Sequence, residues 1–116
     1  MRKLLSGLVL LGGCATVPQP EALPVTPPVI STSGLERVLG ANARTLLTLF
    51  GQPALDVQEA QARKLQFAGP ICVMDAYLYP KPGREPVVTY VDARQPDGRD
   101  IDRASCVSAL IAAHRR

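Results

Sequence analysis

Tryptophan is absent from this chain, histidine occurs once, and tyrosine and phenylalanine together number five. So few aromatics exclude the stacking platforms that hold single-stranded nucleic acids. The lone histidine, His114, is followed only by Arg115 and Arg116. It reads as a solvated terminal residue, not as a base oriented by a third group in a hydrolytic triad. No glycine-rich phosphate loop occurs. Asp97, Asp100 and Asp102 are close in sequence but miss the D-x-D-x-D-G spacing of a calcium loop. Turn and helix-cap roles account for them better than paired-carboxylate chemistry does. One histidine and scattered cysteines fall short of a zinc ligand set. No catalytic residue, metal, cofactor or small-molecule substrate is therefore assigned, and the chain reads as non-catalytic. Long hydrophobic runs are missing too, since a spanning helix needs ~20 apolar residues.

The longest apolar run sits at the start of the chain. Arg2 and Lys3 precede Leu4-Leu5-Ser6-Gly7-Leu8-Val9-Leu10-Leu11, and Gly12-Gly13-Cys14 follows. A positive start, a short apolar stretch and small residues before a cut are the layout of a secretory signal. Leu11-Gly12-Gly13-Cys14 resembles the bacterial lipobox. The resemblance implies that residues 1–13 are a lipoprotein signal peptide and that the Cys14 sulfur is lipidated. A plain secretory signal with a coincidental cysteine is the alternative. Two or three acyl chains, at roughly 0.8 kcal/mol per buried CH₂, make a stable anchor where one would not. By the lipoprotein sorting rule, Ala15 after that cysteine, in place of Asp, directs the protein to the outer membrane, facing the periplasm. Loss of the leader lowers the net charge from +3 to +1, because Arg2 and Lys3 leave with it. That removes the electrostatic case for nucleic acid as a partner.

Five of the eighteen residues from Ala15 to Thr32 are proline. Together with Cys14 they define a tether, residues 14–32, inclined to extended polyproline II and able to reach roughly 55 Å from the bilayer. It reads either as a docking strip for partners or as a spacer with none of its own.

Residues 33–116 read as one small α+β domain. Ser33-Gly34-Leu35-Glu36 has the form of a capping box, and Leu35, Val38 and Leu39 follow at helical spacing before Gly40. Asn42 is placed to cap a second short helix bearing Leu46, Leu49 and Phe50, stopped by Gly51 and Pro53. Three strands follow, within Lys64–Phe67, Ile71–Tyr79 and Val87–Val91, with connections short enough for an antiparallel meander. Asp100 or Asp102 would cap a final helix running to about Ala113, with Cys106, Leu110 and Ala113 in line. The expectation is a two-layer sandwich: two short N-terminal helices, a three-stranded antiparallel sheet and a C-terminal helix.

With Cys14 assigned to lipid, Cys72 and Cys106 remain, an even number in an oxidising compartment. Cys72 is expected on the core face of the central strand and Cys106 on the core face of the last helix. A disulfide between them would stabilise by roughly 3–4 kcal/mol. Two separate buried thiols are the alternative. Tyr77 and Tyr79 fall on the opposite face of that strand, with Asp75. If helices cover only one face, these tyrosines are candidates for partner binding. Otherwise they shield the sheet edge or pack under the tether.

Taken together, the lipobox at Cys14, the tether, "LLTLFGQP" from Leu46 to Pro53 and the strand ending Tyr77-Leu78-Tyr79 resemble the SmpA/OmlA, or BamE-like, family. The resemblance implies a small outer-membrane lipoprotein with two helices packed on a three-stranded antiparallel sheet. It also implies an accessory role beside the barrel-assembly machinery, through protein contacts. The final helix and the cysteine pair are additions to that pattern. A periplasmic binding or inhibitor module acting on a soluble envelope protein is the competing reading, since similar helix-and-sheet units occur in β-lactamase-inhibitor-like proteins.

Overall fold

The computed structural model describes residues 12–13 and 32–116. Cys14, the rest of the leader and residues 15–31 of the tether lie outside the described residues. The fold belongs to the unit Ser31–Arg116. Its order is α1 (Ala43–Phe50), β1 (Leu55–Glu59), β2 (Ala62–Ala68), β3 (Val73–Lys81), β4 (Arg84–Arg94) and α2 (Arg103–His114). The four strands form one antiparallel meander in the order β1-β2-β3-β4. The α+β class agrees with the sequence reading. The element count differs in two places, each for a physical reason.

Where a first helix is expected, residues 33–40 form a run of turns. The N–H groups of Val38 and Leu39 both donate to the Leu35 carbonyl, at 2.9 Å each, and Ala41 N–H donates to the Val38 carbonyl at 3.0 Å, but no run of consecutive helical bonds forms. Gly34 and Gly40 have φ of 82° and 84°, so two left-handed residues bracket a segment too short to repay helix nucleation. The apolar spacing still does its work, because Leu35 and Val38 are fully buried. Glu36 reaches back as a capping box requires, but its Oε1 accepts from Gly34 N–H (3.2 Å).

The second difference is β1, a strand the three-strand reading omits. It is an edge strand with no buried residue, and Leu55 stays 40% exposed. A strand that packs on nothing carries little hydrophobic alternation to read. Cys72 is also displaced from its expected position. It precedes β3, in the turn closed by Gly69 N–H to the Cys72 carbonyl (2.9 Å).

Both helices begin as their caps dictate. Asn42 Oδ1 accepts from Thr45 N–H at 2.9 Å, and Asp102 Oδ2 accepts from Ser105 N–H at 2.9 Å and Ser105 Oγ at 2.8 Å. The second bond set holds the Asp102 carboxyl below its usual pKa. Asp97 accepts from Arg99, and Asp100 bridges to Arg94, so each aspartate of that cluster has a local structural task.

The helices pack on one face of the sheet, where Phe67, Met74, Leu78 and Val91 meet Leu46, Phe50, Val107 and Leu110. The Phe50 and Phe67 rings lie 5.1 Å apart. Cys72 and Cys106 are joined in this layer as a disulfide, with Cα atoms 5.8 Å apart and both residues fully buried. His114, the last residue of α2, is exposed, yet its ring lies over Gly51, the C-cap of α1. A Cβ at position 51 would sit 2.9 Å from His114 Nδ1.

Candidate functional site

With both helices on one face, strand alternation sends the other set of side chains to the opposite face. The register arranges them in rungs that cross the sheet. One rung runs Val57, Lys64, Tyr77, Tyr90, and the next runs Leu55, Gln66, Asp75, Asp92. A register shift keeps the first rung aligned. Tyr77 pairs with Tyr90 while Leu78 pairs with Val88, so Thr89 is the extra residue of a bulge in β4. The bulge leaves Tyr90 beside Tyr77 on one face and Val88 in the core on the other.

The first rung is aromatic and cationic. The Tyr77 and Tyr90 rings lie 5.8 Å apart at 42°, a tilted pair of favourable geometry. Lys64 Nζ stands 6.0 Å from the Tyr77 ring centroid and 3.1 Å from Glu59 Oε1. The hydrogen bond that Lys64 donates to Glu59 raises the Lys64 pKa, so the ammonium stays charged. Partial burial, then the nearby Asp75 charge, raises the Tyr77 pKa and keeps its phenol neutral.

The second rung holds a group that sequence reasoning placed on the right face but did not single out. Asp75 is only 4% exposed. It survives there because Gln66 Nε2 donates to Oδ1 at 2.9 Å and Arg94 Nη1 donates to Oδ2 at 2.8 Å. Arg94 also lies 3.7 Å from Asp92 Oδ2. Its guanidinium pKa is raised, chiefly by the hydrogen bond to Asp75. An aspartate two residues before Tyr77, with a glutamine and an arginine on neighbouring strands, was the available signal. The pairing depends on register, which spacing alone does not give.

Of the tyrosines singled out from sequence, Tyr77 is half-buried within the rung and Tyr79 is 42% exposed. Tyr90 joins Tyr77 and is 44% exposed. Pro80 and Lys81, beyond the strand expected to end at Tyr79, extend β3, and Pro82-Gly83 makes the turn. The face is thus a fixed aromatic row, backed by charges already bonded to one another and flanked by exposed tyrosines. Such a surface offers ring area at small cost in side-chain entropy.

Two shallow clefts, of about 400 and 210 Å³, open elsewhere, beside α1 and the start of β4. They flank the bond from Asn42 Nδ2 to Glu85 Oε2 (2.8 Å). Among the described residues, no group of three His, Cys, Asp or Glu side chains could hold a metal ion. No helix among them is long and apolar enough to cross a membrane. Compared with known proteins, the chain matches no family model, no curated protein and no solved structure.

Proposed function

We propose that this chain is a lipid-anchored protein of the bacterial envelope, held by Cys14 and facing the periplasm, with a non-catalytic role exercised through protein contacts. The observation that carries the reading is the sheet face that carries no helix among the described residues, with Tyr77 and Tyr90 paired and Tyr79 and Tyr90 exposed. The disulfide between Cys72 and Cys106 accords with an exported protein in an oxidising compartment. The lipobox sequence ending at Cys14 supports the anchor, and the residue after it, Ala15, supports the outer membrane. The role is support of outer-membrane assembly or integrity, in the manner the BamE-like resemblance suggests.

Two measurements test this. Metabolic labelling with a radioactive fatty acid should mark the full chain, and Cys14→Ser should abolish both the label and membrane fractionation. Photo-crosslinking residues placed at Tyr79 and at Tyr90 in cells, followed by capture from solubilised membranes, should recover subunits of the barrel-assembly machinery. A single soluble enzyme as the only partner would overturn the assembly role in favour of an inhibitor module.

A further inference from the structure

The two edges of the sheet are finished differently. The outer edge of β4 is closed at three points. Val88 donates to the Ala41 carbonyl (2.9 Å) and accepts from Gly40 N–H (2.8 Å). The Val91 carbonyl accepts from Arg103 Nη1 at 3.0 Å, and Arg94 bridges to Asp100. Pro86 and two register shifts interrupt the strand as well.

The outer edge of β1 has none of this. Its residues pair with β2 in unbroken register. Among the described residues, no backbone group outside β2 bonds to Leu55–Glu59. The strand carries neither proline nor lysine, the usual protections of an exposed edge. Its five-residue length and the ion-paired charges of Asp56 and Glu59 limit what can add there.

We infer that a second copy of this chain adds to β1, antiparallel, about a two-fold axis through Val57. That register opposes Val57 to Val57, Leu55 to Glu59 and Asp56 to Gln58, so all five residues pair and no like charges meet. The Asp56 carboxylate faces the Gln58 amide, a hydrogen-bond donor. An axis through Asp56 would oppose two carboxylates. An axis through Gln58 would pair only three residues, because Ala60 at φ 51° leaves the strand.

The edge is also close to neutral, which favours a second copy over a basic peptide. Asp56 is bound by Arg63 at 2.8 Å, and Glu59 by Lys64 at 3.1 Å. Half-buried Val57 belongs to the tyrosine face and would meet its counterpart there, while Leu55 on the same face would lie against Glu59 of the second copy. The dimer is then one eight-stranded sheet. Its aromatic rung runs Tyr90-Tyr77-Lys64-Val57 and on through the same four residues of the second copy in reverse. This inference is independent of the anchoring and partner reading above, and either can fail alone.

Sedimentation velocity on the full chain over a wide concentration range tests it. The expected result is a reversible monomer–dimer equilibrium that Val57→Lys weakens about tenfold, by opposing two ammonium groups at the axis. Circular dichroism and Tm should show that the Val57→Lys fold is intact. As a second measurement, Val57→Cys under mild oxidation should give a 57–57 linkage identified by mass spectrometry. Gln58→Cys should give far less of its own symmetric linkage. A chain that stays monomeric throughout, a dimer unaffected by Val57→Lys, or absence of the 57–57 linkage would each overturn the inference. So would a monomer that adds an unrelated extended peptide at β1.

Discussion

Replacing both bridged cysteines, Cys72→Ala with Cys106→Ala, removes a cross-link that spans 34 residues of sequence and ties the start of β3 to α2. Loop-closure entropy for a loop of that length corresponds to about 4 kcal/mol at 25 °C. Loss of two fully buried sulfur atoms adds about 1 kcal/mol per site through poorer packing. A domain of this size has a total stability on the order of 4–13 kcal/mol. The double variant therefore loses from about half to all of that margin. Each kcal/mol moves Tm by about 4–8 °C in a domain this small, so the midpoint should fall by about 20 °C or more. The assay is thermal and urea unfolding of the oxidised chain beside the variant. Because the cross-link acts largely by compacting the unfolded chain, the urea m-value should rise in the variant. Reductant should leave the folded protein bridged, since both cysteines are fully buried, and act once denaturant opens the domain. A Tm within about 5 °C of the oxidised chain, with m unchanged, would refute the argument.

Four other perturbations follow from particular contacts. Gly34→Ala should destabilise by about 1–3 kcal/mol in urea titrations, because φ is 82° and the added Cβ would lie 2.5 Å from Ala104 Cβ; a neutral result would contradict the close approach of this turn to α2. Asp75→Ala should cost about 2–3 kcal/mol by stranding the Gln66 amide and the Arg94 guanidinium, whereas Asp75→Asn retains an acceptor and should cost less; equal costs would refute a hydrogen-bonding role. The raised pKa of Tyr77 means that the unfolded chain loses this proton first as pH rises. Its contribution to stability is complete below about pH 10 and is lost as pH climbs through the higher folded value. In an ultraviolet titration Tyr77→Phe should remove a late-ionising component, and persistence of that component would assign it elsewhere. Asp56, whose pKa is lowered chiefly by the hydrogen bond from Arg63, acts with the opposite sign. Its contribution is present above about pH 4 and fades as acid protonates the carboxylate, so Asp56→Asn should flatten the acid limb of the stability curve slightly.

What could be read in advance divides by the range of the interaction responsible. Helix α1 was legible because its signals are local: Asn42 as cap, Leu46 and Phe50 a turn apart, and Gly51 as stop. The cystine was legible because parity and burial pattern pointed the same way. Residues 35–39 carried helical spacing, but the left-handed glycines on either side decided their conformation. Strand β1 was hidden because its partner, not its own burial, makes it a strand. Within the tyrosine face, the alternation of β3 was readable from its apolar residues. The rung joining Lys64, Tyr77 and Tyr90 required the register, including the bulge at Thr89. The ion pair between Asp75 and Arg94 depends on the same long-range information.

The strap that fastens Gly40 and Ala41 to Val88 also has a mechanical meaning. A pull arriving through the chain ahead of Thr32 would first meet Leu35 and Val38, each drawn from the core at a cost of about 1.5–3 kcal/mol. Only then would it load the two hydrogen bonds at Val88. The nine or so residues released would lengthen the attachment by roughly 30 Å at about 3.3 Å each. The sheet and α2, locked together by the buried cystine, would not yet be strained. The entry segment would then act as a fuse in series with the domain, letting the distance to an anchor stretch before the tyrosine face is deformed.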